Sequence, residues 1–379
     1  MVRKSTAGVK LVRAGRSLIG PGRPIFIIAE IGINHNQDLQ MAKDLIDAAA
    51  AAGCDAAKFQ TFTAKALYVD RKFAGTYHLM GRDIPIYDLH TKLEMPYGWI
   101  PVLRDHCKKL GILFFSTPVD AASADALDCE GVELFKVSSY DMTNLPLVRH
   151  LAKKGKTVIF SAGAATLGEV EETVAVLEEA GCPYAMMHCI AKYPAPYRYA
   201  NLAVMETLRR AFGAPVGFSD NGFADARGRI DALRVPSAAA AAGADLFEVH
   251  ITLDRKLPGA DHGFATTPCE LKAMVAAMRR RRDEFNRGCY AVVEPLLLGS
   301  PVKKTYDVER YVRDFAYKCL FAIRDIPLGA KIRKTDVAIL RPGAHRCGLA
   351  PKFFALVVGK ARASRPIARW QPITWDNIL

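Results

Sequence analysis

The sequence lacks the features that mark membrane, secreted and disulfide-bonded proteins. Its 379 residues contain no apolar run of membrane-spanning length, and the N-terminal stretch MVRKSTAGVKLVRAGR has no apolar core of a signal peptide. The nine cysteines are odd in number, scattered, and form no C-x-x-C pair. We therefore expect a cytoplasmic protein with reduced thiols, bound to no membrane, and without a disulfide framework or a zinc site.

Acidic residues are outnumbered by basic ones, which gives a net charge of +13. A generally basic surface and an anionic small substrate, such as a phosphate or a carboxylate, both explain this excess and both stay open. Nucleic acid is the weaker explanation, because the lysines and arginines are spread out and no nucleic-acid-binding module is present. We expect no nucleic-acid partner. The basic run MRRRRDEF at 278–285 is typical of the solvated end of a helix.

Short apolar runs alternate with helical stretches along the first 285 or so residues. Asp38 is placed to begin one helix that ends at Gly53, and Thr166 is placed to begin another. Eight strand–helix units favour a closed (β/α)8 TIM barrel over an open sheet. The eight predicted strands are 24–30, 56–60, 112–118, 133–139, 157–163, 185–190, 215–220 and 246–252.

Each of these runs turns polar at its C-terminal end. In a barrel these ends meet at one mouth, where active sites lie, so the eight ends predict one shared site. The long connections 61–95 and 252–269 follow the second and eighth runs and are candidates to cover it. The polar ends are Glu30, Lys58, Gln60, Ser116, Thr117, Lys136, Ser139, Ser161, His188, Ser219, Asp220 and His250.

The regular alternation stops after Arg282. We predict a barrel domain over residues 1–285 with a short N-terminal lead-in, a linker over 286–314, and a compact unit of short strands and turns over 315–379. The last unit is too short for a second large core, so we expect it to pack on another part of the protein.

Nine motifs, in this order and spacing, resemble the sialic acid synthase family. The resemblance covers the chain from about residue 24, and it implies a TIM barrel followed by a small antifreeze-like (SAF) domain. It also implies a transferase that condenses phosphoenolpyruvate with an N-acetylated aldehyde sugar. The motifs are IAEIGINHN (28–36), AGCDAAKFQTF (52–62), FFSTP (114–118), FKVSS (135–139), YAMMHC then YP (184–194), GFSD (217–220), EVHIT (248–252), LPGADH (257–262) and RPG (341–343).

The resemblance assigns roles to residues of this chain. Cations and hydroxyl groups suit the phosphate and carboxylate of phosphoenolpyruvate. Arg341 would reach the active site of the partner subunit in a domain-swapped homodimer. The implied residues are Lys58, Thr117, Lys136, Ser139, Ser161 and Ser219 for phosphoenolpyruvate, Gln60, Tyr193, Asp261 and Arg341 for the acceptor, and Glu30, Asp141 and Asp261 for catalysis.

The implied metal site departs from the pattern of the family, in which a divalent metal, usually manganese, polarises the aldehyde. The second metal histidine is present as His250, but Asn221 replaces the first. An amide oxygen binds a hard cation such as Mn²⁺ or Mg²⁺ and is a weaker ligand than imidazole for softer metals. The site has therefore either become looser or lost its metal.

Two further departures lie near the predicted mouth. Asp141 replaces a glutamate, and the segment Ile190, Ala191, Lys192 loses a polar contact to phosphoenolpyruvate and gains a cation. They leave three hypotheses. The acceptor is an N-acetylated hexose or a 2,4-diacetamido relative, giving a 2-keto-3-deoxy ulosonic acid and phosphate by C–O cleavage. Alternatively, it is a larger or nucleoside-linked sugar aldehyde of specialised metabolism, or the protein binds a ligand and has lost turnover.

Overall fold

Eight parallel strands form a closed barrel in the computed structural model, which describes residues 8–79 and 82–379. Each strand pairs with the strands before and after it in the chain, so the predicted TIM barrel is confirmed. The strands are β1 Phe26–Gly32, β2 Ala56–Thr61, β3 Leu113–Pro118, β4 Leu134–Val137, β5 Thr157–Ser161, β6 Tyr184–Cys189, β7 Val216–Asp220 and β8 Leu246–His250.

One main helix follows each strand. The side chain of Asp38 accepts from the first backbone amides of α1, Gly53 ends that helix with φ +86°, and Thr166 caps α5, as predicted. The helices are α1 Leu39–Ala52, α2 Trp99–Lys109, α3 Ala121–Cys129, α4 Leu145–Ala152, α5 Leu167–Glu179, α6 Val204–Phe212, α7 Arg234–Ala241 and α8 Pro268–Asn286.

The interior of the barrel is apolar at the N-terminal ends of the strands. Phe115 and Met187 are buried there together with Ala14 and Ile19, which belong to a hairpin of Val12–Ala14 and Ser17–Ile19. Because this hairpin covers that end, the polar strand ends lie at the opposite end of the barrel.

The basic end of α8 is not a solvated surface throughout. Arg282 is only 1% exposed, and its guanidinium lies 2.7 Å from the carboxylate of Asp245. It also donates to the backbone carbonyls of Gly20 and Gly243 at 3.0 Å. The expectation of a solvated run is therefore wrong for Arg282, which ties α8 to the start of β8.

Shorter elements complete the chain. Within the described ranges, no helix combines the length and the apolarity needed to cross a membrane.

The C-terminal residues have an apolar cluster of their own, which includes Leu320, Ile332 and Ile373. The shorter strands are Thr76–Leu79, Arg82–Pro85, Ala195–Pro196, Phe223–Ala224, Cys319–Ala322 and Val337–Leu340, and the shorter α-helices are Ala64–Leu67, Ile86–Thr91, Pro295–Leu298, Arg310–Ala316 and Phe354–Val357.

The segment after α8, predicted as a linker over 286–314, runs along the barrel. The backbone amide of Leu202 donates to the carbonyl of Leu297 at 2.9 Å, and the hydroxyl of Thr207 donates to the carbonyl of Pro301 at 2.7 Å. Further along, the hydroxyl of Thr305 donates to a carbonyl in the β5–α5 loop. The segment is thus bound at several points rather than forming a free tether.

Candidate active site

The strand ends surround a cavity of about 260 Å³ at the barrel mouth. It is closed on one side by the 61–95 connection and on another by residues 311–316 and Arg341. Of the residues to which the resemblance assigns a role, all except Asp141 line it, whereas the predicted strand-end residues Ser116, His188 and Asp220 do not. The lining residues with an assigned role are Glu30, Lys58, Gln60, Thr117, Lys136, Ser139, Ser161, Tyr193, Ser219, Asn221, His250, Asp261 and Arg341.

Two buried lysines from neighbouring parts of the mouth share one carboxylate. Glu248 lies 3.5 Å from the Nζ of Lys58 and 3.7 Å from the Nζ of Lys136. Each ammonium also donates to a hydroxyl, Lys58 to Thr117 at 3.2 Å and Lys136 to Ser161 at 2.8 Å. The arrangement offers a ligand two cations and two hydroxyl groups from four different strands, which suits a phosphate with a second anionic group.

The two lysines differ in their electrostatics. Burial opposes the charge on Lys58, but the carboxylates of Glu248 and Glu30 outweigh it and raise the pKa of this lysine. Burial lowers the pKa of Lys136, and the nearby Lys58 ammonium lowers it further. An anionic ligand placed between them would favour the charged form of Lys136, so binding of the anion and protonation of this lysine support each other.

Glu30 ends its buried strand against these cations. One carboxylate oxygen lies 2.6 Å from the Nζ of Lys58, and the other accepts from the amide of Gln60 at 2.9 Å. Burial raises the pKa of Glu30 despite the neighbouring lysine. A carboxyl group that holds its proton at a higher pH than usual is suited to exchanging a proton with a bound reactant.

The implied metal ligands lie on the other side of the mouth. Nδ1 of His250 is buried without a hydrogen-bond partner and lies 3.6 Å from an oxygen of Asp261. The amide of Asn221 donates to the carbonyl of Ile190 at 2.9 Å and to the sulfur of Cys189 at 3.3 Å. Residues 8–79 and 82–379 contain no group of three His, Cys, Asp or Glu suited to a metal. The orphaned imidazole nitrogen beside a carboxylate nevertheless fits a hard divalent cation with few protein ligands.

Arg341 lies in the mouth of its own chain. Its guanidinium is 5.7 Å from the ring centre of Tyr68 and 5.2 Å from that of Tyr140, and its backbone amide donates to the carbonyl of Leu67 at 2.7 Å. The hydroxyl of Tyr140 donates to that of Tyr193 at 3.0 Å. The C-terminal unit therefore carries a cation into the cavity, held between aromatic rings.

The structure does not bring Asp141 to the cavity. Its side chain is fully buried and lies 2.9 Å from the Nζ of Lys318, at the start of the C-terminal unit. The same ammonium donates to the carbonyl of Val119 at 2.5 Å. Lys192, the cation gained at the β6 end, is exposed and does not line the cavity. Asp141 thus holds the C-terminal unit instead of facing a ligand.

Sequence reasoning missed Glu248, although it is the residue that joins the two lysines. The alternation of side chains along a strand could have identified it, because Glu248 and His250 are two residues apart in one strand and so point to the same face. The hydroxyl of Ser219 donates to Glu248 at 3.1 Å, which fixes the carboxylate from the neighbouring strand. Lys318 was missed as well, and no local pattern marks it.

The fold and this mouth define a TIM-barrel protein with a cavity that contains two buried lysines and that residues of a small C-terminal unit help to line. The chain belongs to the NeuB family: residues 45–289 match that family, and residues 317–379 match the SAF domain. The resemblance to sialic acid synthases is thereby confirmed.

Named relatives align along almost the whole chain. The spore coat polysaccharide biosynthesis protein SpsE of Bacillus subtilis is 42% identical over 95% of both chains. Its crystal structure superposes with a TM-score of 0.86 at 40% identity, covering 98% of this chain and 99% of that one. The N,N'-diacetyllegionaminic acid synthase of Legionella pneumophila is 34% identical, over 95% of this chain and 96% of the relative.

We predict that Asp141→Asn weakens the attachment of the C-terminal unit. Lys318 would stay buried without its counter-charge, which costs about 3–5 kcal/mol in comparable sites. Calorimetry should then resolve a separate, earlier transition for the C-terminal unit. The matched control is Glu172→Gln, which removes an exposed pair with Lys352 and should cost less than about 1 kcal/mol. Equal effects of the two variants would contradict the assignment.

Proposed function

We propose that this protein is a phosphoenolpyruvate-dependent transferase that forms a carbon–carbon bond with an aldehyde sugar. Carbon 3 of the enol attacks the aldehyde carbon, water adds at carbon 2, and phosphate leaves by cleavage of its C–O bond. The product is a 2-keto-3-deoxy ulosonic acid. Membership of the NeuB family, with relatives named as acid synthases, supports this reaction.

The observation that carries the proposal is the pair of buried lysines joined by Glu248 in one cavity. Lys58 and Lys136 would bind the phosphate and carboxylate of phosphoenolpyruvate with the hydroxyls of Thr117, Ser139, Ser161 and Ser219. Glu30, beside Lys58, would position the attacking water or take its proton, as the direction of its pKa shift favours.

The acceptor would bind nearer the opening. Gln60, Tyr193, Asp261 and Arg341 offer donors and acceptors to sugar hydroxyl or amide groups. The same part of the cavity has an apolar wall, formed by Phe62, Leu67, Leu89, Val312 and Phe315. Such a wall suits the methyl group of an acetamido substituent, which supports an N-acetylated hexose or a diacetamido relative over a nucleoside-linked sugar.

We propose that a divalent cation, Mn²⁺ or Mg²⁺, is held by His250 and Asp261, with the amide oxygen of Asn221 as a further ligand. When bound, the metal would act as a Lewis acid toward the aldehyde oxygen. The unpaired Nδ1 of His250 supports this assignment. Burial lowers the pKa of His250, which keeps the imidazole neutral and able to act as a ligand.

We further propose a cytoplasmic homodimer in which the C-terminal domain is exchanged and Arg341 completes the site of the partner subunit. The scattered cysteines, which form no C-x-x-C pair, support a reducing compartment. In the structure, Arg341 contacts residues of its own chain. In a domain-swapped dimer, Arg341 would make the same contacts with the same residues of the partner subunit. The exposed stretch around Val292, which is 96% exposed, offers a place for the chain to cross.

The reaction itself gives the first test. We predict phosphate release only when phosphoenolpyruvate, an N-acetylated aldehyde sugar and Mn²⁺ or Mg²⁺ are supplied together. Lys58→Met and Lys136→Met should each lower kcat/KM by about a hundredfold or more, since a buried cation at the reacting anion is lost. Lys192→Met, an exposed lysine outside the cavity, is the control. Ligand-induced stabilisation without phosphate release from any aldose or sugar nucleotide would instead identify a binding protein that has lost turnover.

Metal binding is tested separately from activity. Isothermal titration with Mn²⁺ should show binding that His250→Ala removes. Asn221→His should tighten it by about tenfold, equivalent to about 1.4 kcal/mol, because an imidazole nitrogen replaces an amide oxygen. Equal Mn²⁺ affinity in the native protein and His250→Ala would show that the cation does not bind at this histidine.

The exchange of domains predicts complementation between two inactive chains. Glu30→Gln and Arg341→Ala chains, denatured and refolded as an equal mixture, should recover about a quarter of the native activity, because mixed dimers form one intact site in two. Each variant refolded alone is the control. A mixture that stays inactive, with mixed dimers confirmed by mass, would mean that each Arg341 serves its own barrel.

A further inference from the structure

We propose that residues 305–317 are a clamp that positions the anion-binding wall of the cavity, with Glu309 as its central positioning residue. This inference rests on the proposed phosphoenolpyruvate site and goes beyond it, because the sequence predicts most of this segment to be a linker. The clamp is defined by the side chains of Thr305, Glu309, Arg313 and Tyr317, which recur at every fourth position.

Glu309 joins two barrel loops through backbone amides. It is fully buried, and one carboxylate oxygen accepts from the amide of Ala164 at 2.7 Å and from the amide of Ala191 at 2.8 Å. The other oxygen accepts from the amide of Tyr306 at 3.0 Å. A charged acceptor that satisfies three buried amides is a strong and directional contact. The β5–α5 and β6–α6 loops are therefore fixed relative to each other by one carboxylate.

The rest of the clamp holds the Gly163–Ala164 segment from its other side. The carbonyl of Ala164 accepts from the hydroxyl of Thr305 at 2.8 Å and from the guanidinium of Arg313 at 2.7 Å. The carbonyl of Gly163 accepts from the hydroxyl of Tyr317 at 2.6 Å. Ala164 has φ +53°, a left-handed conformation that costs a non-glycine residue energy and persists where surrounding contacts enforce it. The clamp supplies those contacts.

The clamped loop forms part of the anion site. The amide of Gly163 donates to the hydroxyl oxygen of Ser139 at 2.8 Å, and Ser161 two residues earlier holds Lys136. A Cβ at residue 163 would lie 2.8 Å from that hydroxyl oxygen and 3.3 Å from the Cβ of Ala191, so the backbone of Gly163 packs closely against both residues. A displacement of this loop would move Ser139, which faces the proposed phosphoenolpyruvate.

A buried cation accompanies Glu309. Lys303 is only 5% exposed, and its Nζ has no hydrogen-bond partner among the described residues. Burial lowers the pKa of Lys303 to about 8, although the carboxylate of Glu309 favours its charged form. Tyr317, the last clamp residue, is followed directly by Lys318, so the attachment of the C-terminal domain at Asp141 and the shape of the anion site are mechanically connected.

The test uses Glu309→Ala and Glu309→Gln in the full-length protein, with Asp307→Asn as matched control. Asp307 lies two residues away, is exposed, and accepts from Tyr199 instead of from a barrel loop. Hydrogen exchange should accelerate by about tenfold or more in peptides covering 162–166 and 189–192 of Glu309→Ala. The KM for phosphoenolpyruvate should rise by about tenfold, with a smaller change in kcat and in the KM for the sugar.

Glu309→Gln retains one oxygen acceptor and should fall between the native protein and Glu309→Ala, whereas Asp307→Asn should match the native protein. Unchanged exchange in both peptides, or equal changes in all kinetic constants, would overturn the clamp. If the native protein releases no phosphate, the proposed reaction fails, yet hydrogen exchange and the affinity for inorganic phosphate still decide whether Glu309 positions the loop.

Discussion

The structure depends on keeping two ammonium groups charged and close together inside a barrel. Lys58 and Lys136 repel each other in surroundings where water cannot screen them, and Glu248 and Glu30 offset that repulsion. The lysines can contact these carboxylates because β1, β2, β4 and β8, which carry the four residues, end at the same level around the mouth. The barrel thus holds two lysines whose charges are balanced by two carboxylates. An anionic substrate could replace some of these ion pairs with its own contacts to the lysines.

Further interactions lie around this cluster, at the C-terminal ends of the strands. Lys318 is buried against Asp141, Arg341 is held between Tyr68 and Tyr140, and residues 305–317 hold the loops that follow β5 and β6. These contacts come from a part of the chain whose own apolar cluster is separate from the barrel core. Its position relative to the barrel therefore follows from buried charges and from hydrogen bonds to the loops, as the expectation that this unit packs on another part of the protein implied.

The barrel and most of its mouth could be predicted because both follow from short patterns. Apolar runs that end in Glu30, Lys58 or His250 identify strands and the edge at which they converge. What escaped prediction depends on a distant partner. The sequence predicts Arg282 to be solvated, but this residue is buried against Asp245. The resemblance implies a catalytic role for Asp141, and the structure pairs its carboxylate with Lys318. Ala164 gives no sign in the sequence that its conformation is enforced by a segment about 145 residues away.

The hairpin of Val12–Ala14 and Ser17–Ile19 has a consequence for the sequence of events during turnover. Because it covers the far end of the barrel, we expect ligands to reach the lysines through the mouth, past Arg341 and the apolar wall, and to leave by the same path. A sugar seated there would block the way to the lysines behind it. We therefore expect ordered binding, in which the enol phosphate binds before the sugar. The acid product must dissociate before the next turnover begins.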